Sequence, residues 1–357
     1  MPTRPVHWPA NQSIHFSTPT TKKMLLAVTK YGAALKVKEG SFYVLHKDGT
    51  RIIPVEKTDA ISLHTGISVT IDALELAINN GIEVMLTDRR GNPIGRIWSN
   101  RFGSISTIRK NQVLFCKSVW ALRWIKNILS QKLENQAALL MSIAAITHDK
   151  TLLIDRTLHE IKKLNQKIKN VSGETLAGLE GKLRGYEGKA SLVYWQCINT
   201  FLPEPYKFKL RSQHPARDIF NAMLNYAYGM LYSVVEGKLI EAGIDPYLGV
   251  LHRDNYNRPV LVYDFIERYR VWADYVVCHL CFQYAMHPDY FEYDNGEVLV
   301  ANEGKHILIQ SMRDYLDEVG PYQGIMRSRE IQILLYAQNF ATNLKEFPSI
   351  QPNSFDL

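Results

Sequence analysis

Cysteine is scarce in this chain: four in 357 residues, at positions 116, 197, 278 and 281. Thiols this few and this scattered read as reduced, which points to a cytoplasmic protein rather than a disulfide-stapled secreted one. Residues 1–9 carry Arg4, His7 and prolines but no apolar core, so no signal peptide is expected. No apolar run approaches the length of a membrane span, and no membrane association is expected. The glycines at 178, 181, 185 and 188 are not followed by the Gly-Lys-Ser/Thr of a phosphate loop, and Gly-x-Ser-x-Gly is absent. Nucleotide-hydrolysing and serine-hydrolase readings are therefore poorly supported. Internal repeats and low-complexity segments are also missing. The charge excess is small, 42 Lys and Arg against 35 acids for a net +7, which suits a polyanionic partner without demanding one.

What is present is ordinary globular material, 46% hydrophobic and 22% charged, in a chain long enough that two domains are more natural than one. The first hundred residues read as mainly β. Residues 34–38 and 42–46 flank Glu39-Gly40, a hairpin connection, and 47–50 turns into a strand at 52–55. Further strands are expected at 61–64, 82–87 and 95–98. A helix over 69–77 stops at Asn79-Asn80-Gly81, a good C-terminal cap. Strands so short and alternating argue against a doubly wound parallel sheet and for a small β-sandwich-like unit carrying one helix. After residue 100 apolar side chains recur at three- and four-residue steps, predicting helices over 111–145, 151–169, 190–202, 218–242, 260–287, 303–319 and 328–344. The fold class is α+β: a β-rich domain over 1–100, then a larger all-α domain over 101–357.

The chemistry concentrates late in the chain. Gly249-Val250-Leu251-His252 and Asp264-Phe265-Ile266-Glu267 place a histidine and two acids among Leu261, Val262 and Tyr263. Charged groups in such a setting are costly unless paired, hydrogen-bonded or metal-bound. A further acid, Glu187, precedes the apolar Leu192-Val193-Tyr194-Trp195. Imidazole plus carboxylates form a hard-to-borderline ligand set, suited to Mg2+ or Mn2+ more than to structural zinc. With Pro259 in the first turn of a helix, Asp264 and Glu267 fall three apart on one face. The competing reading is separate ion pairs with Arg253, Arg258, Arg268 or Arg270.

Basic and aromatic residues surround these acids: Lys182, Arg184, Tyr186, Lys189, Tyr194, Trp195, Arg211, His214, Arg217, Tyr226 and Tyr228. They suit phosphates and splayed bases, or equally a solvated face over buried tyrosines. Cys278 and Cys281 with His287 imitate a zinc half-site. No second cysteine pair exists to complete it, so packed thiols are expected.

Five elements occur in an order that resembles the CRISPR-associated endonuclease/integrase family Cas-one. They are 88–95 with its Arg89-Arg90-Gly91-Asn92-Pro93 turn, Gln112 with Lys132-Leu133-Glu134-Asn135-Gln136, and Gly185-Tyr186-Glu187-Gly188. The remaining two are the 221–229 segment and Leu251-His252 followed by Asp264-x-x-Glu267. The segment 213–217 departs from the family, which often has consecutive prolines there. The resemblance implies a metal held by Glu187, His252 and Glu267, with Asp264 in the second shell or a possible ligand. It also implies homodimers, bridged by a small partner, Cas-two. The implied activity inserts short DNA fragments, or spacers, into a CRISPR array by 3′-hydroxyl attack on a phosphodiester of repeat DNA. The implied substrate is double-stranded DNA with splayed or single-stranded ends, and Lys182, Arg184, Lys189 and Arg258 are candidate phosphate contacts. Two alternatives remain: a stand-alone structure-specific DNA nuclease and a non-catalytic DNA-binding scaffold.

Overall fold

A computed structural model describes residues 24–89, 91, 93–97, 106–147, 152–213, 215–252 and 258–349. The β-rich part comprises β1 (Met24–Val28), β2 (Ala34–Lys38), β3 (Ser41–His46), β4 (Gly49–Ile53), β5 (Thr58–His64) and β6 (Ser68–Val69). It continues through α1 (Ile71–Asn79), β7 (Glu83–Thr87) and β8 (Pro93–Ile97). Among the described residues these strands form two four-stranded sheets, ordered β1-β5-β7-β8 and β4-β3-β2-β6. Glu39 and Gly40 both take positive φ, the twist-matched turn that sets the β2–β3 register. Leu35, Phe42, Ile61, Ala73, Ala77 and Val84 are fully buried in the core that the sheets and α1 share.

The first sheet is not doubly wound, yet β5 pairs in parallel with both β1 and β7, and β8 alone runs antiparallel to its neighbour. Strand brevity is no bar to parallel pairing here, because α1 supplies the crossover from β5 to β7 and the β2–β4 segment the one from β1 to β5.

The second part is helical: α2 (Ser106–Cys116), α3 (Val119–Thr147), α4 (Leu152–Lys169), α5 (Glu180–Phe201), α6 (Ile219–Glu241), α7 (Val260–Ile266) and α8 (Arg270–Phe282). After these come β9 (Phe291–Asp294), β10 (Glu297–Val300), α9 (Asn302–Asp317), β11 (Val319–Tyr322), β12 (Ile325–Ser328) and α10 (Arg329–Glu346). The β9–β10 and β11–β12 hairpins were not among the expected elements. Asn295-Gly296 and Gln323-Gly324 turn them, all four at positive φ, and Asn-Gly is a hairpin signal that the helical periodicity on either side obscures. The helix expected over 260–287 is divided into α7 and α8, and Pro259 stands just before α7 rather than inside it. α5 begins ten residues earlier than the apolar pattern suggested, and Gly181, Gly185 and Gly188 lie within it.

The helical core runs from Ile108 to Phe347, with α6 at its centre, and is separate from the β-sheet core. Arg96 of β8 joins the two parts. Its guanidinium pairs with Glu83 at 2.5 Å and reaches Glu236 of α6 at 3.1 Å. Gly237 makes that approach possible, since a Cβ there would collide with the Glu83 carboxylate and the Arg96 guanidinium. The expected boundary near residue 100 and the strand end at Trp98 lie outside the described residues.

Candidate active site

Three helices and one loop bring the acids together. α3 and α5 pack along each other and place Lys132 opposite Glu187, while Glu267 caps the end of α7. The Lys132 ammonium pairs with Glu187 Oε1 and, at 2.5 Å, with Glu267 Oε2. Ser191, one turn on from Glu187, donates its hydroxyl to Glu187 Oε1 at 2.8 Å. Arg270, at the start of α8, donates Nε to Glu267 Oε1 at 2.7 Å. Burial opposes ionisation of Glu267, but Arg270 and Lys132 beside it hold its pKa down to about 2. His252 acts on the same carboxylate whenever its ring is protonated, and is therefore an electrostatic neighbour of Glu267.

His252 is positioned by Asp264, whose carboxylate is completely buried. Asp264 Oδ2 accepts the backbone N–H groups of Val250 (2.6 Å) and Leu251 (3.1 Å). Its Oδ1 accepts the backbone N–H of His252 (3.2 Å) and the ring Nδ1 (2.7 Å). A carboxylate only accepts, so Nδ1 carries a proton, and in the neutral ring Nε2 is the nitrogen with the lone pair. The chain passes this point because residue 249 is glycine; a Cβ there would run into the His252 carbonyl oxygen and Val260. Gln112, also buried, secures the approach to the loop, donating Nε2 to the Asp245 carbonyl at 2.7 Å and accepting the Asp245 N–H at 3.1 Å.

The expected residues thus form two linked units, His252 with Asp264 and Glu187 with Glu267. Asp264 and Glu267, though on one helical stretch, serve different partners. Among the described residues no group of three His, Cys, Asp or Glu side chains is drawn tightly enough to enclose a metal by itself. Instead the Glu187–Glu267 pair converges on an ammonium, so the site is built to hold positive charge. Carboxylates with a free imidazole Nε2 beside them are the donor set that Mg2+ or Mn2+ accepts, so the residues fit such an ion.

Lys132 and Asp274 carry more of the site than their sequence context suggested. Lys132 was visible only as part of a motif, although its position in a helix whose neighbours Leu129 and Leu133 are buried hinted at burial. Asp274 accepts the hydroxyls of Tyr194 (2.8 Å) and Tyr228 (2.6 Å), and burial pushes its carboxyl up to about 6. The guanidinium carbons of Arg270 and Arg211 lie 4.7 and 5.5 Å from the Tyr228 ring centre.

Two cavities share the Tyr228 ring. One, of about 400 Å³, is lined by Lys132, Glu187, Glu267 and Asp274; the other, of about 850 Å³, by Arg96, Arg109, Tyr232 and Arg258. Both are also lined by Arg211, Tyr228 and Arg270.

All four candidate phosphate contacts, Lys182, Arg184, Lys189 and Arg258, are exposed. Lys189 reaches Glu160 at 3.4 Å, and Arg184 donates to the Leu251 carbonyl. Arg211 is held by Asn221 (2.7 Å) and Asn225 (2.6 Å), and Arg217 donates to the Gly296 carbonyl. Cys278 and Cys281 are packed in the core, where burial pushes both thiols well up. Arg253 and His214 lie outside the described residues.

The family model described as CRISPR associated protein Cas1 matches residues 26–314. The chain is 29% identical over 335 residues to the CRISPR-associated endonuclease Cas1 1 of Archaeoglobus fulgidus, covering 90% of this chain and 96% of that protein. Among solved structures, a casposase bound to integration product matches with a TM-score of 0.78 at 18% identity, over 92% of this chain and 94% of that one. A chain of a Cas6-RT-Cas1–Cas2 complex matches with a TM-score of 0.76 at 20% identity, over 96% of this chain but 36% of that longer one. At these identities the structural likeness concerns the fold.

Proposed function

The chain belongs to the CRISPR-associated Cas1 family, and on that premise we propose that it is a metal-dependent DNA endonuclease/integrase. It joins the 3′ hydroxyl of a short DNA fragment to a phosphodiester of CRISPR repeat DNA. The observation that carries this reading is the convergence of Glu187 and Glu267 on one buried positive charge, with His252 as their neighbour.

Glu187, His252 and Glu267 hold the Mg2+ or Mn2+ ion. Asp264 accepts four donors on its two oxygens, so it orients the imidazole and has no lone pair left for a metal. The bound ion supplies Lewis acidity at the scissile phosphate and lowers the pKa of a bound hydroxyl. Arg270 fixes the Glu267 carboxylate. Arg211 and Arg258 face a groove able to take a DNA backbone, and Lys182 and Lys189 extend the positive surface beside Glu187.

The β-rich residues 1–100 form the dimerisation domain and 101–357 the catalytic domain. A small Cas2 protein bridges two dimers, a reading supported by the Cas1–Cas2 complex whose chain shares this fold.

A gel assay that separates joined from cut products, run with a 3′-hydroxyl fragment and repeat DNA, tests the reading. Manganese-dependent joined product is expected, and Glu187→Ala, His252→Ala and Glu267→Ala should each abolish it. Cut product alone would favour a stand-alone nuclease. The ion pairs of Glu187 and Glu267 with Lys132 and Arg270 give a scaffold reading some support, and such a protein would show no turnover at any metal concentration.

A further inference from the structure

Lys132 is enclosed, its side chain only 9% exposed, on a helix whose flanking turns are locked into the core through Ile128, Leu129 and Leu133. A buried ammonium needs close anionic partners, and two converging carboxylates need a cation between them. Lys132 with Glu187 and Glu267 meets both needs at once. An ammonium and a divalent ion would compete for the same oxygens, so Lys132 occupies the acids that would hold the ion.

The same cavity offers the ammonium a second partner. Asp274 lines it together with Lys132, and the Lys132 charge acts on the Asp274 carboxyl. Each Asp274 oxygen accepts one tyrosine hydroxyl, which leaves capacity on both for another donor. A flexible four-carbon stem can carry the ammonium from one acidic group to the other while its Cα stays fixed.

We propose that Lys132 is a positioning residue with two stations: it holds the Glu187–Glu267 pair assembled until a divalent ion enters, then withdraws toward Asp274. This inference rests on the metal-dependent reading above. It makes Lys132 an internal competitor, so the apparent metal affinity is lowered by the fraction of molecules in which the ammonium occupies the acids. If that fraction is nine-tenths or more, removing the ammonium tightens binding about tenfold or more.

Titration of the full chain with Mn2+, followed by electron paramagnetic resonance of the free ion, tests this. Lys132→Met should bind Mn2+ about tenfold or more tightly than the unsubstituted chain. It should also melt at a lower temperature without the ion, and the gap should close as Mn2+ is added. Asp274→Asn should weaken binding, and should do so less in the Lys132→Met background, because the two residues then no longer share a task. Unchanged or weaker Mn2+ binding by Lys132→Met overturns the proposal while leaving the metal site standing. Absence of Mn2+ binding by the unsubstituted chain, or undiminished binding by Glu267→Gln, removes the metal reading and this inference with it.

Discussion

Asp264 and His252 are joined twice: Asp264 Oδ1 accepts both the ring Nδ1 proton of His252, at 2.7 Å, and its backbone N–H, at 3.2 Å. One carboxylate therefore sets the tautomer of the imidazole and the course of the loop that carries it. Glu267, three residues on, has no part in that arrangement and is held by Lys132 and Arg270 instead.

Substitution should separate these roles. Asp264→Asn replaces one accepting oxygen by a donor that faces backbone N–H groups, so turnover should fall about 10–100-fold and recover partly as Mn2+ is raised. Removing a buried acceptor also costs about 1–3 kcal/mol of stability, visible as a lower melting temperature. Glu267→Gln should be inactive with little rescue. Strand-transfer rates against Mn2+ concentration decide the matter, and the reverse order would make Asp264 a direct ligand.

Lys182, Arg184 and Lys189 are all exposed, but Arg184 is also tied to the Leu251 carbonyl. If both lysines contact phosphates, replacing the pair by alanine should reduce the slope of log affinity against log salt by about 2. Arg184→Ala should instead lower turnover more than affinity, because it frees the His252 loop. An unchanged salt slope for the double lysine variant would take both residues off the DNA.

Tyr31, Ile52, Ile71 and Ile94 of the β-rich part are 74%, 56%, 75% and 64% exposed. Large apolar side chains left open on a small β-unit suit a symmetric interface between copies. Light scattering should show a dimer for the whole chain. A truncated chain beginning near residue 101 that is soluble and still dimeric would contradict this placement.

His64 and Asp274 should pull stability in opposite directions in acid. Burial holds His64 down to about 4 from an ordinary 6.5, in contact with the Tyr226 hydroxyl at 3.1 Å. Between pH 6.5 and 4 the unfolded chain binds a proton that folded His64 refuses, so this contribution to stability is lost as pH falls. Burial raises Asp274 from 3.8 to about 6, so between those values the folded chain holds the extra proton and stability rises as pH falls. Each effect is about 3 kcal/mol in full, and they largely mask each other. Relative to the unsubstituted chain, His64→Gln should gain up to about 3 kcal/mol between pH 7 and pH 4. Urea denaturation at the two pH values measures it; a difference independent of pH would mean that His64 is not held neutral.

The spacing of apolar residues already specified the β-rich first part, the helices that follow and the residues around which charge would gather. Those features rest on local rules: a strand alternates, a helix repeats every three to four residues, and Asn80-Gly81 ends α1 wherever the rest of the chain goes. Motif order likewise singles out Glu187, His252 and Glu267. What local rules do not contain is which side chain meets which across the core. Lys132 lies 55 residues before Glu187, and nothing in its sequence neighbourhood says that its ammonium will bind two acids from other helices. Only the packing of α3 against α5 and α7 decides that. The same holds for Asp274, an acid in an apolar helix until Tyr194 and Tyr228 arrive to satisfy it. Periodicity records which way a residue faces; the partner it finds there depends on long-range packing, and so do the charge it carries and the chemistry it serves.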